Sequence, residues 1–191
     1  MSGHTGTKRS LIRDLSGVFA DTAAFQRLAA ERGEEVAYSV EEFRPARNVP
    51  QDLIFGTSIL QPGKVGDEFF LTRGHIHMKS DRPEVYFCQS GRGVMHMELP
   101  SGETRPAEMT PGTVVYVPPY WIHRSVNTGD TPFVTFFCYP ADAGQDYDII
   151  ARSGGMRTII VADGSGWREA DNPRYRPRSE AEQRRYLEVG P

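Results

Sequence analysis

The chain is poor in the features that mark several protein classes. It carries only two cysteines in 191 residues, Cys88 and Cys138, and both lie in apolar runs. That argues against a disulfide framework and for two buried thiols in a cytoplasmic protein, since a domain of this size buries enough surface to fold without staples. No apolar stretch approaches the roughly 18 residues of a spanning helix, so no membrane partner is expected. The opening residues, MSGHTGTKRS, lack the apolar core of a secretion signal. There is no excess of positive charge. The 22 Lys and Arg stand against 25 Asp and Glu, for a formal charge of -3, and no nucleic-acid partner is expected. No G-x-G-x-x-G and no strand–long-helix alternation occur, which disfavours a dinucleotide fold. No repeat of 20–50 residues is visible.

What the chain does have is punctuation: 19 glycines and 14 prolines. Residues 1–10 are polar and glycine-containing, and a loose start is expected. TAAFQRLAAER at 22–32 reads as a helix, with Asp21 or Thr22 as cap and Gly33 as stop. Residues 34–43 fit either a strand or a short helix. From residue 54 the texture changes to short β-type runs between Gly, Pro and Asp turns. These are FGTSIL (55–60), EFFLT (68–72), EVYFC (84–88), VMHMEL (94–99), VVYVP (114–118) and FVTFFCY (133–139). Runs at this spacing argue for an antiparallel barrel or sandwich. MRTIIVADG at 156–164 adds a strand and turn. The tail after Trp167 is rich in arginine (Arg174, Arg176, Arg178, Arg184, Arg185) and reads as solvated or partner-facing, with a short helix available at 179–188.

The chain has five histidines. His75 and His77 are two apart, so in an extended segment both rings point to one side. Glu84 follows across the polar turn MKSDRP, where the chain enters EVYFC. His123 follows PPYW, where another strand should open. Three imidazoles and a carboxylate suit a borderline divalent ion such as Fe, Mn, Ni, Co or Zn. A six-coordinate ion would keep two positions for water or substrate. A structural site is the alternative, although structural zinc usually takes four closed ligands, often with Cys. His96, between Met95 and Met97, reads as a satisfied histidine and not a ligand. Thr57, Ser58, Thr72 and Gly74 could cradle a phosphate, with Arg73, Lys64 or Lys79 supplying charge if they face inward. Tyr86 shares the face of Glu84, and the hydroxyls of Tyr139 and Tyr147 could bind sugar oxygens.

Two strings carry a resemblance. GHIHMKSDRPEVYFCQSGRG (74–93) with PGTVVYVPPYWIHRSVNTG (111–129) resembles the cupin signature. PGKVGDEFFLTRGHIH, DRPEVY, PGTVVYVPPYWIHRSVN and YPADAGQDY together resemble the cupin-type glucose-6-phosphate isomerases of archaea and some bacteria. The match runs from about Thr57 to Ile150. It implies an all-β fold, a single cupin double-stranded β-helix (jelly-roll) barrel. Residues 1–50 would pack on the barrel, 51–162 form it, and 163–191 make a C-terminal extension. It implies interconversion of glucose 6-phosphate and fructose 6-phosphate by a homodimer with one divalent ion per subunit, Fe(II) or Mn(II) favoured, without NAD or flavin. His75, His77, Glu84 and His123 would be the metal ligands. Ser58, Thr72, Gly74 and Tyr86 would meet the phosphate, and Tyr139 and Tyr147 the sugar. Glu84 would be the base, with Tyr86 and Tyr139 assisting. Ser58 stands where the family has Thr, and Arg73 where it has Lys.

Overall fold

The computed structural model describes residues 3–187. It begins with strand β1 (Gly3–Leu11), a 3-10 turn at Ile12–Leu15 and helix α1 (Thr22–Arg32). The Asp21 side chain caps α1 by accepting from the Ala24 N–H at 2.8 Å, which satisfies one of the donors a helix start leaves free. Phe25 is buried on the inner face and its ring stacks on Phe19, centroids 5.7 Å apart. Gly33 ends the helix, but at φ -58°, not in the left-handed region of a glycine stop. Glycine is required there for room: a Cβ would stand 2.3 Å from the Ala29 carbonyl oxygen.

β2 (Val36–Pro45) settles residues 34–43 as mostly strand. It pairs antiparallel with β1 from Gly3↔Pro45 to Leu11↔Val36. From Gly3 onward the start of the chain is therefore half of a ladder and not loose; residues 1 and 2 lie outside the described residues. Then come β3 (Leu53–Leu60), β4 (Lys64–Val65), β5 (Glu68–Phe69), β6 (Glu84–Ser90) and β7 (Gly93–Glu98). β8 (Thr104–Met109), β9 (Val114–Val117), β10 (Ile122–Asn127) and β11 (Phe133–Pro140) follow. Helix α2 (Asp148–Arg152), β12 (Thr158–Asp163), β13 (Gly166–Asp171) and α3 (Glu180–Leu187) complete the described chain.

The strands form three antiparallel sheets. Their orders are β1-β2-β3-β11-β6-β9, β10-β7-β8 and β13-β12-β5-β4. None is closed, which corrects the single jelly-roll barrel expected from sequence. The stretch between β5 and β6, which runs alongside β10, is too irregular to zip a ladder. It meets β10 only at the isolated bridges Leu71↔Val126 and His75↔His123. Between them Gly74 sits at φ +77°, a conformation that breaks an extended run. β8 carries Pro106, which has no N–H to give, and β9 runs into Pro118 and Pro119.

The main core lies under the large sheet, with Tyr86, Cys88, Phe137 and Tyr139 in one cluster with Met95 and Met97. Of the two thiols, Cys88 is buried and Cys138 half-buried, and both are free. The C-terminal extension is docked and not solvated throughout. Arg178, in the segment read from sequence as solvated or partner-facing, is buried and pairs with the buried Glu98 at 2.5 Å. Such a pair must repay a large desolvation cost, and it joins the tail to Glu98 on β7.

Candidate functional site

Strand alternation sets the inner face of the large sheet. On β6, Glu84, Tyr86 and Cys88 are buried while Val85 and Phe87 are exposed. On β11, Phe137 and Tyr139 point inward, in register with β6 through Phe137↔Tyr86. On β3, Ser58 is buried and Thr57 alternates to the other face. β10 brings His123 from the smaller sheet, and the backbone bridge between His75 and His123 is closed by two hydrogen bonds of 3.1 and 2.9 Å. Gly74 makes this approach possible: a Cβ there would meet Ile150 Cδ1 at 2.8 Å and Arg124 Cβ at 2.9 Å.

His75, His77, Glu84 and His123 are all buried, and their donor atoms lie within 4.8 Å of one another. Glu84 Oε2 is 2.9 Å from His123 Nε2, 3.2 Å from His77 Nε2 and 3.9 Å from His75 Nε2. The outer ring nitrogens decide what the inner ones present. His77 Nδ1 is 2.7 Å from the Arg82 carbonyl, and His123 Nδ1 is 3.1 Å from the Trp121 carbonyl. A carbonyl only accepts, so each Nδ1 carries a hydrogen. The neutral rings then aim Nε2 lone pairs at a carboxylate. His77 Nε2 has no hydrogen-bond partner among the described residues. A divalent cation between these atoms removes the conflict. The buried cluster is a single divalent-metal site in its chemistry.

The electrostatics agree. Burial works to raise the Glu84 carboxyl, but the neighbouring His123 and His77 overcome it and hold the group below the ordinary carboxylate range. Burial, with the neighbouring His123, holds His75 well below its ordinary value. For His77, burial works downward, but Glu84 wins and raises it. Burial and the Glu84 charge push Tyr86 and Tyr139 well above ordinary phenols, so both are neutral donors. Each of three tyrosines flanks one imidazole. Ring centroids are 5.3 Å apart for Tyr139 and His77, 5.9 Å for Tyr86 and His123, and 5.6 Å for Tyr147 and His75.

A cavity of about 290 Å³ opens over His75 and Glu84. Ser58, Thr72, Arg73 and Gly74 line it, with Tyr86, Tyr139 and Tyr147. Thr72 Oγ1 accepts from the Ser125 N–H at 3.1 Å, so its hydroxyl hydrogen is available to a ligand. Lys64 and Lys79 do not line the cavity: Lys64 lies over the Phe69 ring, and Lys79 pairs with Asp142 at 2.7 Å. His96 is buried elsewhere, with Nε2 2.9 Å from Thr158 Oγ1. Because that hydroxyl donates to Glu169 at 2.8 Å, His96 must donate to it.

Sequence reasoning missed one wall. Lys8 and Ser10 from β1, Tyr38 and Glu42 from β2, and Gln145 also line the cavity. Glu42 is buried between Lys8 Nζ at 3.1 Å and Arg44 Nε at 2.7 Å. Burial works to raise its carboxyl, yet those two cations hold it below the ordinary range. Lys8 and Ser10, two apart in an extended run, were the available signal, but a polar terminus hid the strand.

Comparison with known proteins decides the family. The family model described as "Glucose-6-phosphate isomerase (GPI)" matches residues 8–177. The chain belongs to the glucose-6-phosphate isomerase family. Among relatives that carry the name glucose-6-phosphate isomerase, the protein of Sinorhizobium medicae is 54% identical over 182 residues, covering 95% of this chain and 85% of its own. That of Thermococcus litoralis is 47% identical over 171 residues, covering 88% of each chain. That of Pyrococcus furiosus is 46% identical over 173 residues, covering 90% of each. The family match spans the whole histidine cluster and the cavity wall, including Lys8 on β1. No helix among the described residues is long and apolar enough to cross a membrane.

Proposed function

We propose that this isomerase-family protein interconverts D-glucose 6-phosphate and D-fructose 6-phosphate in the cytoplasm, using one divalent ion held by His75, His77, Glu84 and His123. One observation carries the reading. The four donor atoms gather within 4.8 Å, beneath a cavity walled by hydroxyls and an arginine. When bound, the ion supplies Lewis-acid polarisation of the sugar's carbonyl and hydroxyl oxygens. Fe(II) or Mn(II) is favoured, with Ni(II), Co(II) or Zn(II) able to substitute, because imidazole and carboxylate donors suit all of them.

Ser58, Thr72 and the chain at Gly74 receive the phosphate, with Arg73 adding charge at the rim. Tyr86 and Tyr139, kept neutral by burial, donate hydrogen bonds to sugar oxygens and assist ring opening. Tyr147, half-exposed and bonded to Gln145, orients the sugar at the mouth. Glu84 takes the proton from C2 of the aldose and returns it to C1, through a cis-enediol. Its low basicity in the resting cluster makes this demanding, and contact with the substrate must loosen it from the histidines. A hydride shift from C2 to C1 is the competing route. No nicotinamide or flavin is needed, because no net redox change occurs.

The protein acts as a homodimer through the outer face of the large sheet. Two rows of cross-strand neighbours there are apolar, Phe43↔Phe55, Phe55↔Cys138, Cys138↔Val85 and Val85↔Tyr116 in one and Phe136↔Phe87 and Phe87↔Val114 beside it, the second row giving way to Thr57 and Glu41 on β3 and β2. Val114 is 62% exposed and Tyr116 55%. A contiguous apolar face suits a self-complementary interface about a twofold axis.

A coupled assay with fructose 6-phosphate tests the activity. Stripped protein should be inactive, and reconstitution with each of the five ions should restore turnover to differing extents. Absence of turnover in folded, metal-loaded protein would overturn the reading.

A further inference from the structure

Two of the four candidate ligands, His75 and His77, hang on chain with little regular pairing, while Glu84 and His123 stand at or next to the first residues of β6 and β10. His75 and His77 lie in the bridge region after Gly74. Glu84 follows a polar turn. His123 follows Tyr120, the one non-glycine residue among those described with positive φ, at 74°. What backs these pieces is the end of the chain.

A small apolar cluster, apart from the main core, consists of Ile76, Ile122, Ile149, Ile150, Met156 and Tyr186. Ile76 lies between the first two histidines, and Ile122 immediately precedes the third. Tyr186, on α3, contributes the cluster's only aromatic ring, from beyond residue 177 where the family match ends. It is 4% exposed. Its hydroxyl donates to Asp146 Oδ2 at 2.5 Å and accepts from Arg152 Nη2 at 2.8 Å. The Asp146 backbone in turn pairs with Ile76 through two hydrogen bonds of 2.8 and 3.1 Å. Tyr186 also accepts, through its backbone carbonyl, from the hydroxyl of buried Ser80 in the turn before Glu84. The Ser80 carbonyl accepts from the Tyr120 N–H at 2.6 Å. One residue thus ties the segment carrying His75 and His77, the turn leading to Glu84 and the approach to His123.

The anchoring of α3 is specific. Ser179 and Glu182 cap it reciprocally, at 3.3 Å for the Glu182 N–H and 3.0 Å for the Ser179 N–H. The buried Arg178–Glu98 pair pins the residue before that cap. We infer that α3 is a positioning element for the metal centre, with Tyr186 as its positioning residue; this rests on the metal reading above. Outside its own helix, the hydrogen bonds of Tyr186 go to Asp146, Arg152 and Ser80, and to none of the four candidate ligands. Tyr186 limits how far the segment bearing His75 and His77 can move from the starts of β6 and β10.

The test uses the full chain loaded with Co(II), whose visible absorption reports ligand geometry. Release of Co(II) to a chelator, the absorption spectrum, and kcat and KM for fructose 6-phosphate are measured for Tyr186→Ala and Tyr186→Phe. Groups that orient ligands from behind commonly change metal affinity by about tenfold or more, so Tyr186→Ala should release Co(II) about tenfold faster. Its spectrum should shift and its kcat fall, with KM little changed. Tyr186→Phe keeps the ring but loses the bonds to Asp146 and Arg152, and should fall between wild type and Tyr186→Ala. Glu180→Gln, on an exposed part of the same helix, should match wild type. If Tyr186→Ala does not fold, Tyr186→Phe and Ser80→Ala carry the test. Release and spectra matching wild type in the folded variants, even with a lower Tm, would overturn the inference. His123→Ala separates the two readings. If it holds Co(II) as tightly as wild type, the metal assignment falls and takes this inference with it.

Discussion

At Glu84, one carboxylate oxygen sits 2.9 Å from His123 Nε2 and 3.2 Å from His77 Nε2, while two backbone carbonyls keep hydrogens on the far sides of those rings. In the proposed mechanism this residue is both ligand and base, and Glu84→Gln separates the roles. The amide keeps a weak donor oxygen but cannot take a proton. Turnover should drop about a thousandfold at matched metal occupancy, within the range a general base supplies. A loss no larger than the fall in metal content, with no solvent hydrogen entering the product in wild type, would favour the hydride shift. Asp142 makes a different prediction. Hydrogen bonding from Arg82 lowers its carboxyl to about 2, against the opposing effect of burial and with help from Lys79. Since an unfolded Asp titrates near 4, this stabilisation is complete above about pH 4 and is lost as pH falls through 2. Both cations are partly solvated, so Asp142→Asn should cost about 1 kcal/mol at pH 7. Urea unfolding as a function of pH should show the difference from wild type vanishing near pH 2.

Among the elements, the segment from Phe70 to His77 matters most, and Gly74 sets its path. Gly74→Ala places a Cβ at φ +77° against Ile150 and Arg124. It should destabilise by about 2 kcal/mol in urea unfolding, as strain and overpacking add, and weaken metal retention with it. This is also where sequence reading divides into what it can and cannot reach. The β-runs were legible because alternation writes burial directly: Glu84, Tyr86 and Cys88 in, Val85 and Phe87 out. The histidine cluster was legible because its spacing falls between turns. β1 was not, because an edge strand holds itself by backbone hydrogen bonds and its polar residues show no apolar face. β8, containing Pro106, gave no strand signal either. The closed barrel was expected because short antiparallel runs resemble one another whether or not their edges meet. Closure depends on hydrogen bonds across irregular chain, which no local pattern encodes. Arg178 misled for a similar reason, since its partner Glu98 is distant in sequence.

For the whole molecule, the six-stranded sheet leaves apolar side chains such as Phe55, Phe87, Val114 and Tyr116 exposed on its outer face and lines the polar cavity with its inner one. If the proposed homodimer uses that outer face, Val114→Glu, at its most exposed apolar position, should give a monomer in light scattering where the wild type gives a dimer, while the chain stays folded. An unchanged mass would remove this face from the interface. The central claim is that one ion, held by three histidines and Glu84, carries the isomerase chemistry. Titrating stripped protein with Mn(II) while following fructose 6-phosphate turnover tests it most directly. Turnover should rise linearly and break at about one ion per chain, and His123→Ala should stay near baseline throughout. Full activity in the stripped protein, or an unaltered titration in the variant, would contradict the account.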